Sequence, residues 1–446
     1  MDVFVRWRPL AESEAPQGSV AHKAVKNDKS SLLSVSINRN QTPSDREWNS
    51  SAAFHSVLNV QDDNGVAYST IVEPTISQVL GGGSCSFFAY GHSGSGKTHT
   101  VIGYEHSQRS GLGLCLAAGE RLFSEIQALN QNASSETSRL GVGLSVFEVR
   151  QKSAFDLLNN RTECHIREGP DGKVHIRGQT ETLEKGKVRV KPIAKHPCWT
   201  YDALKQELLQ ALDRRAVGTS SVHDESSRTH AVLELEIINQ PLHDAREALI
   251  ERQSELVPVG KLHGDILIEE QSKGYIADME GNYRPNPDYT INQSRIDAAE
   301  AEMKVFESRV EDAEKHIESI YTAASDTTPS LGGKMVFVDL AGAEYQQENR
   351  STSAVSATKQ TPTEKQEARQ INTDLLALKE VFRAWATKQR RVPFRSSPLT
   401  MVLRETFMAA KNCGSGMIVT VSPAKGHYAA TMNSLKYGSL MGSVQA

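Results

Sequence analysis

Cysteine is scarce in this 446-residue chain, which has five, and no two of them form a CxxC pair. This pattern indicates neither a disulfide framework nor a zinc site, and it favours a reducing compartment. The sequence also lacks an apolar run near the roughly 18 residues that a membrane span needs. Its first residues, MDVFVRWRPL, do not form the basic head and apolar stretch of a signal peptide. We therefore expect a cytoplasmic protein without a membrane span.

An excess of positive charge is absent as well. The formal net charge is −4, so the chain has no global basic field, and nucleic-acid binding is not predicted. An anionic partner would have to bind a local basic patch. Hydrophobic residues make up 38% and charged residues 23% of the chain, as in ordinary folded domains. A chain of this length can bury a core without disulfides or metal.

Short apolar strands alternate with helical patterns along most of the chain. Runs typical of strands occur at 85–90 (CSFFAY), 231–238 (AVLELEII), 334–342 (KMVFVDLAG) and 416–422 (GMIVTVS). One apolar helix face is formed by residues at helical spacing: Ile371, Leu375, Leu378, Phe382 and Trp385. The alternation predicts an α/β fold with a central, mostly parallel β-sheet that has helices on both faces.

The segment GHSGSGKTHT at 91–100 places glycines, a lysine and a threonine where they can wrap a polyphosphate. It matches the pattern G-x-x-x-x-G-K-[ST] at Gly91, Gly96, Lys97 and Thr98. In that pattern backbone N–H groups hold phosphates, the lysine reaches the β/γ oxygens and the hydroxyl binds Mg²⁺. The alternative is a glycine turn with an exposed lysine. The apolar strand before the loop and the helical pattern after it favour a P-loop NTPase.

Two further segments carry groups that can sense a γ-phosphate. DESSRTH (224–230) offers adjacent hydroxyls and an arginine beside a strand. VDLAGAE (338–344) offers an aspartate at a strand end, suited to a water-mediated Mg²⁺ contact, and a glycine N–H. Taken alone, either segment could be a loop of small residues.

A polar segment from 239 to 332 interrupts the alternation of strands and helices. It contains a predicted helix at 294–321 with apolar residues at heptad spacing, and eight acidic and four basic residues. The upstream stretch HDAREALIERQSEL could form a second helix that packs against it. The heptad stripe either packs on its own domain or belongs to a projecting hairpin that binds a protein partner as a coiled coil.

Taken together, these motifs resemble the kinesin motor domain. The family's P-loop reads GQTGSGKTxT, its first switch N-x-x-SSRSH and its second switch DLAGSE; this chain has GHSGSGKTHT, HDESSRTH and DLAGAE. VRWRPL (5–10), EARQINTDLLALKEVF (367–382) and VPFRSSPLTMVL (392–403) are similar to further family segments. The resemblance covers 1–238 and 333–440. It implies the kinesin P-loop NTPase fold, with one motor domain at 1–446 and a large helical insertion at 239–332.

The resemblance also implies roles for particular residues, with ATP and Mg²⁺ as the cofactors. The adenine would lie beside Arg6, Arg8, Pro9 and His99. The phosphates would lie in the loop formed by Gly91, His92, Ser93, Gly94, Ser95, Gly96, Lys97 and Thr98. Mg²⁺ would be held by Thr98 and Ser227, and through water by Asp339. The catalytic set would be Lys97, Ser226, Ser227, Arg228, Gly342 and Glu344. In that set Gly342 would donate to the γ-phosphate, and an Arg228–Glu344 salt bridge would close the switches.

A basic segment matches the microtubule-binding part of the family. Residues 383–404 include six basic residues and no acidic one, and tubulin is acidic. Five residues are expected to bind microtubules, and we call them the cationic patch: Lys388, Arg390, Arg391, Arg395 and Arg404. The chain departs from the family pattern at several positions: His92, Ser93, His223, Ala343, Tyr345 and Pro398. None of these changes removes a phosphate- or metal-contacting group.

The resemblance thus implies an ATP-hydrolysing motor, stimulated by microtubules, that moves along or remodels them. It places the protein in the cytoplasm, on the microtubule cytoskeleton. The alternative is a slow or non-motile, nucleotide-regulated microtubule-binding protein. A GTPase is not indicated, because no NKxD motif that reads guanine accompanies the P-loop.

Overall fold

The computed structural model describes residues 1–26, 31–38, 47–131, 138–169, 172, 174–184, 187–215, 228–277, 283–325, 327–343, 362–409 and 414–443. The strands up to the P-loop are β1 (Asp2–Trp7), β2 (Ala21–Lys26), β3 (Leu33–Asn38), β4 (Trp48–Asn49), β5 (Ser56–Leu58) and β6 (Ser84–Tyr90). The next are β7 (Leu140–Arg150), β8 (Ser153–Asp156), β9 (Thr162–Glu168), β10 (Val174–Thr182), β11 (Val188–Pro192) and β12 (His196–Cys198). The last are β13 (His230–Asn239), β14 (Tyr275–Ala277), β15 (Tyr283–Pro285), β16 (Lys334–Asp339) and β17 (Ser415–Val421).

The helices lie between these strands. Those before β13 are α1 (Asn64–Ile71), α2 (Ile76–Leu80), α3 (Lys97–Val101), α4 (Leu114–Asn130) and α5 (Tyr201–Asp213). Those after it are α6 (Gln240–Gly274), α7 (Gln293–Ala324), α8 (Pro362–Ala386), α9 (Pro398–Val402), α10 (Arg404–Ala409) and α11 (Tyr428–Ser443). No helix within the described ranges combines the length and the apolar character needed to cross a bilayer.

The central sheet, 12-stranded within the described residues, runs in the order β11-β10-β9-β8-β7-β13-β16-β6-β17-β1-β5, with β12 on β7. The P-loop fold with helices on both faces is confirmed, but the sheet is mixed rather than mostly parallel. The half formed by β16, β6, β17, β1 and β5 is parallel. From β16 to β11 neighbouring strands are antiparallel, since short turns connect most of them directly.

The core lies on both faces of the sheet because successive residues of the buried strands point to opposite sides. On β6, Phe87 stacks on Phe337 with ring centroids 5.3 Å apart, within a cluster that includes apolar residues of α4. Its neighbour Phe88 meets Phe382 of α8 edge to face at 5.1 Å, on the other side. The apolar helix face predicted from the sequence is therefore the face of α8 that covers the sheet.

The polar segment forms a helical hairpin made of α6 and α7, with the β14–β15 ribbon between them. Arg246 donates to the Tyr321 hydroxyl at 2.7 Å near one end, and Arg295 donates to Glu270 at 2.9 Å near the other. The two helices are therefore antiparallel, and α7 spans the predicted helix at 294–321. Ile296 and Ala299 of the heptad stripe are buried, and Ile317 and Ile320 pack against the core cluster that includes β6 and α4. The stripe therefore packs α7 against its own chain.

Candidate nucleotide-binding site

The P-loop connects β6 to the short helix α3, which begins at Lys97. Gly94 and Gly96 have φ angles of 75° and 96°, in the left-handed region that glycine adopts at little cost. The loop can therefore turn back over the end of β6. The long helix predicted after the loop is α4, and it is separated from α3 by residues 102–113.

Lys97 lies over this loop and is only 5% exposed. Its Nζ donates to the carbonyl oxygens of Gly91, at 3.1 Å, and His92, at 2.9 Å. Burial lowers the pKa of Lys97 to about 8; nearby Asp339 opposes this shift and Arg215 adds to it. The side chain is thus a cation at neutral pH, held where a polyphosphate would enter the loop.

Asp339 ends β16 beside α3, and its side chain is 1% exposed. Its Oδ2 accepts hydrogen bonds from Thr98 Oγ1 at 2.8 Å and Arg215 Nη1 at 2.7 Å. Its Oδ1 has no hydrogen-bond partner among the residues that the structure describes. A threonine hydroxyl beside a carboxylate with an unused oxygen matches the oxygen ligands that Mg²⁺ prefers. The two predicted residues therefore fit Mg²⁺.

Arg215 belongs to this site, although no motif in the sequence points to it. It lies two residues beyond α5, is 5% exposed, and also donates to the Thr229 carbonyl oxygen at 3.0 Å. Its only signal is the pair Arg214–Arg215 after an amphipathic helix. Arg215 and Mg²⁺ would both interact with the Asp339 carboxylate, so a bound Mg²⁺ would compete with the Arg215–Asp339 ion pair.

The segment after β16 lies directly against the P-loop. The Ala343 N–H donates to the Gly91 carbonyl oxygen at 3.1 Å. A Cβ added at Gly342 would lie 2.8 Å from the Ser93 nitrogen, so only glycine allows this approach. The structure thus brings Gly342 against the P-loop, and its hydrogen bond to the γ-phosphate stays a prediction.

His230 supports the same segment, and sequence reasoning did not select it. Its Nδ1 accepts the Ala341 N–H at 3.0 Å, so the neutral ring carries its proton on Nε2, which lies 3.9 Å from Asp374 Oδ2 of α8. Burial lowers the pKa of His230 to about 3, with Arg215 and Lys97 adding to the effect. The neutral histidine therefore lies between the segment after β16 and α8.

The switch arginine, Arg228, is buried, with its Nη1 3.7 Å from Glu367 Oε2 of α8. Arg150 also pairs with Glu367. Ser226, Ser227 and Glu344 lie outside the described residues, as do the departures His223 and Tyr345. The Ser227 magnesium ligand and the Arg228–Glu344 salt bridge therefore stay predictions.

A cavity of about 450 Å³ opens beside the P-loop, on the side predicted for adenine. Its lining includes the predicted residues Arg6, Arg8, Pro9, Ser95, Gly96 and His99. Arg6 is buried and donates to Thr100 Oγ1 at 2.9 Å, which ties β1 to α3. Arg8 donates to the Gly94 carbonyl oxygen at 2.7 Å and pairs with Glu14. The arginines thus hold the rim of the cavity and the loop together.

His92 lies on the other side of the loop. Its Nδ1 donates to the Ser93 carbonyl oxygen at 2.7 Å, and its ring lies 4.8 Å from that of His427. Burial, with His427 next in effect, lowers the pKa of His92 to about 3, so the ring is neutral. The structure therefore places this residue against the segment before α11 and not in the adenine-side cavity.

The cationic patch divides into two parts. Lys388, Arg390 and Arg391 are exposed in the turn after α8. Arg395 forms two hydrogen bonds of 2.7 Å with Glu168 of β9. Arg404 donates to the Gly172 carbonyl oxygen at 2.6 Å and lies 3.5 Å from Glu168. One carboxylate thus holds two of the five cations.

The fold and this site define a P-loop nucleotide-binding protein, because the loop, a lysine, a threonine and a strand-end aspartate meet beside the parallel half of the sheet. The sequence model of the kinesin motor domain matches residues 6–273 and 304–444, so the chain belongs to the kinesin motor domain family.

The curated proteins that this chain resembles include kinesin-like proteins. The chain is 26% identical over 440 residues to kinesin-like protein KIF24 of Mus musculus, covering 98% of this chain and 23% of the relative. It is 27% identical over 391 residues to kinesin-like protein KIN-13B of Arabidopsis thaliana, covering 88% of this chain and 40% of the relative. The chain thus spans less than half the length of these proteins.

Solved structures show the same fold. The motor domain of the Kar3-like kinesin from Ashbya gossypii has a TM-score of 0.58 and 19% identity, covering 99% of this chain and 98% of that one. The motor and motor homology domain of Kar3Vik1, fused to a synthetic coiled coil, has a TM-score of 0.60 and 17% identity, covering 99% and 84%.

Proposed function

We propose that this chain is a microtubule-associated motor ATPase, which couples ATP hydrolysis to movement along microtubules or to their remodelling. One observation carries the proposal: Lys97 donates a hydrogen bond to the P-loop backbone, and the next residue, Thr98, donates one to Asp339. Membership of the kinesin motor domain family supports the filament as partner. The corresponding location is the microtubule cytoskeleton of the cytoplasm.

Phosphoryl transfer depends on positioning and charge stabilisation more than on covalent chemistry. Lys97 supplies a buried positive charge to the phosphates. Thr98 and Asp339 would hold Mg²⁺, which neutralises phosphate charge when bound. The Gly342 N–H is the proposed donor to the γ-phosphate, and Ser226, Ser227, Arg228 and Glu344 remain the proposed switch residues. The cavity lined by Arg6, Arg8, Pro9 and His99 is the proposed adenine site.

The path from the nucleotide to the filament runs through α8. This helix has 25 residues, so it is about 37 Å long. Its Glu367 and Asp374 lie beside Arg228 and His230 of the nucleotide site. Its carboxyl end leads into the exposed cations Lys388, Arg390 and Arg391, so a shift of α8 on hydrolysis would move this part of the cationic patch.

We further propose that 1–446 forms one motor domain and that 239–332 is an insertion in it. The family model leaves out residues 274–303, which lie within this segment. The acidic outer surface of α7, which includes the predicted partner-binding region 294–321, is free to bind a protein partner.

Microtubule-stimulated ATP turnover tests the proposal. We expect microtubules to raise the turnover rate strongly and immobilised protein to glide them. Lys97→Ala should lower turnover about 100-fold or more, as expected for loss of one preorganised charge. Tight microtubule binding with negligible turnover would instead identify a non-motile binding protein, and turnover indifferent to microtubules would refute both.

A further inference from the structure

A second cavity, of about 1190 Å³, lies at the opposite end of the sheet from the P-loop. Lys334, which lines it, is the first residue of β16, and Asp339 of the nucleotide site is the last. Five residues of a strand span about 17 Å, so the two sites are separate. We call this space the rear cavity.

The rear cavity exists because the hairpin lies beside the sheet. One wall is α6, through Arg246, Ile250 and Val257, and another is the β10–β11 ribbon. A third wall is formed by residues 402–409. Most of the side chains on these walls are aliphatic, and those of Val174, Ile176, Val188 and Val190 are only half-buried. Together they form an apolar recess that a ligand can fill.

The floor of the rear cavity is charged. Glu234 and Glu236 point to the same face of β13, and Lys195 pairs with both. Arg246 donates twice to Glu236, at 2.7 and 3.0 Å. Lys334 lies 3.2 Å from Glu234. Three cations therefore face two carboxylates, and Arg177 and Glu405 on the walls add one charge of each sign. The cavity lining thus carries one surplus positive charge.

Lys334 is the cation best placed to meet a ligand. Lys195 is shared between two carboxylates; although burial opposes it, their charges raise its pKa. Arg246 is engaged by Glu236 and by the Tyr321 hydroxyl at 2.7 Å. Among the described residues Lys334 Nζ pairs with one carboxylate oxygen, and its side chain is 31% exposed. An ammonium has three N–H donors, so Lys334 can also donate to an anion.

We infer that the rear cavity binds an amphipathic organic anion, with its head group on Lys334 and its apolar body between α6 and the β10–β11 ribbon. Concave sites lined by aliphatic side chains with a few converging polar groups are typical of small-molecule sites. Removal of the apolar body from water contributes to the affinity. The surplus positive charge on the floor selects an anion over a cation or a neutral molecule.

Fluorescence titration of the full chain with anilinonaphthalenesulfonate tests this inference. The probe is an apolar sulfonate that brightens when it leaves water. We expect one site per chain, from which dodecanoate below its micelle concentration displaces the probe about tenfold more effectively than dodecyltrimethylammonium or dodecanol does. Excess ATP should not displace the probe, because the nucleotide cleft is elsewhere.

Two variants with matched controls locate the site. Val257→Trp fills the rear cavity, whereas Leu262→Trp changes a similarly exposed residue of α6 that does not line it. Lys334→Gln removes the proposed anchor, and Lys304→Gln removes a cation from the outer surface of α7. Val257→Trp and Lys334→Gln should each weaken probe binding about tenfold or more. Lys334→Gln removes a charge-assisted hydrogen bond, and Val257→Trp removes contact area between the probe and the cavity. The controls should bind as the parent does.

The inference is overturned if Val257→Trp and Lys334→Gln bind the probe as tightly as their controls. It is also overturned if dodecyltrimethylammonium or dodecanol displaces the probe as effectively as dodecanoate does. Circular dichroism and retained ATP binding establish that each variant is folded. If Val257→Trp does not fold, the probe affinity of Lys334→Gln alone tests the inference. Microtubules are absent from this measurement, so its failure leaves the proposed motor function untouched.

Discussion

Three charged side chains meet at the buried end of β16: Lys97, Arg215 and Asp339. Two cations and one carboxylate leave this group with one surplus positive charge away from bulk water. Burying an uncompensated charge is costly, and an anion that enters the P-loop lowers that cost. The residues of the site therefore favour a polyphosphate before any contact with its base or sugar.

The lowered pKa of Lys97 makes ATP affinity depend on pH. In the free protein this lysine loses its proton as pH rises through about 8. Because ATP binds the charged form, affinity should be constant below pH 8 and fall as pH rises above it, approaching tenfold per pH unit. Titration with a fluorescent ATP analogue between pH 6.5 and about 9.5 measures this dependence.

Lys97→Arg provides the control, since arginine keeps its charge across this range. The variant should bind ATP with an affinity that does not change with pH, even if it binds more weakly. A parent protein whose affinity stays flat to the upper end of the range would contradict the assigned role of Lys97.

Arg215→Ala should destabilise the fold. The substitution leaves Asp339 buried without the partner that lies 2.7 Å away. Breaking a buried pair by removing one member typically costs about 3–5 kcal/mol, and the nearby charge of Lys97 should reduce this cost without cancelling it. Urea unfolding without nucleotide measures this change. Arg214→Ala is the control because, among the described residues, the Arg214 side chain donates only to carbonyl oxygens, those of Leu157 and Leu158. A midpoint equal to that of the control would show that the pair contributes little.

The P-loop residues could be predicted from the sequence because they are contiguous, and each has a distinct chemical role. Arg215 could not, because it meets Asp339 across 124 positions of the chain and belongs to no motif. His230 and Asp374 lie within motifs that resemble those of the family, but their roles could not be predicted because they depend on how α8 packs against β13.

Among the elements, the hairpin depends on the inner face of α7. Ile296→Asp would bury a carboxylate between α6 and α7, at an expected cost of about 3 kcal/mol. We expect the part of the hairpin distant from the sheet to open, with faster proteolysis there and unchanged ATP binding. Val305→Asp, at a site 53% exposed on the outer surface, should leave the cleavage rate as in the parent. Equal resistance of both variants would mean that the stripe does not hold the hairpin.

The contact between β9 and the cationic patch leads to a prediction about filament binding. If Arg395 and Arg404 bind tubulin as proposed, Glu168 would compete with tubulin for them, so Glu168→Ala should tighten microtubule binding. Exposed ion pairs contribute up to about 1 kcal/mol, so the gain should be at most about fivefold at low salt. Cosedimentation measures it, with Glu163→Ala, in the same strand, as the control. Weaker binding by Glu168→Ala would mean that Glu168 positions the arginines instead of sequestering them.

Element types followed from sequence periodicity, whereas strand direction did not. The heptad spacing predicted α7 because a sustained apolar stripe has few alternative structures. The antiparallel direction of β7 to β11 depends on short turns that carry little signal. Whether the stripe faced the body or a partner was equally undetermined, since α6 and an external helix would satisfy the same pattern.

Charge is unevenly distributed over the whole molecule. Residues 240–324 include 18 acidic and 9 basic residues, a net charge of −9, so the remaining motor body carries +5. An acidic filament would attract the body and repel the hairpin. Microtubule affinity should therefore fall steeply as salt rises, because these charges are exposed and screened over about 10 Å at 0.1 M.

We propose that the P-loop, Asp339 and the segment at Gly342 surround the terminal phosphate of ATP and its magnesium ion. A crystal structure with Mg²⁺ and a non-hydrolysable ATP analogue tests it most directly. We predict the γ-phosphate between Lys97 Nζ and the Gly342 N–H, with the metal on Thr98 Oγ1 and Arg215 displaced from Asp339. A nucleotide bound with Gly342 and Asp339 remote from that phosphate would contradict the account.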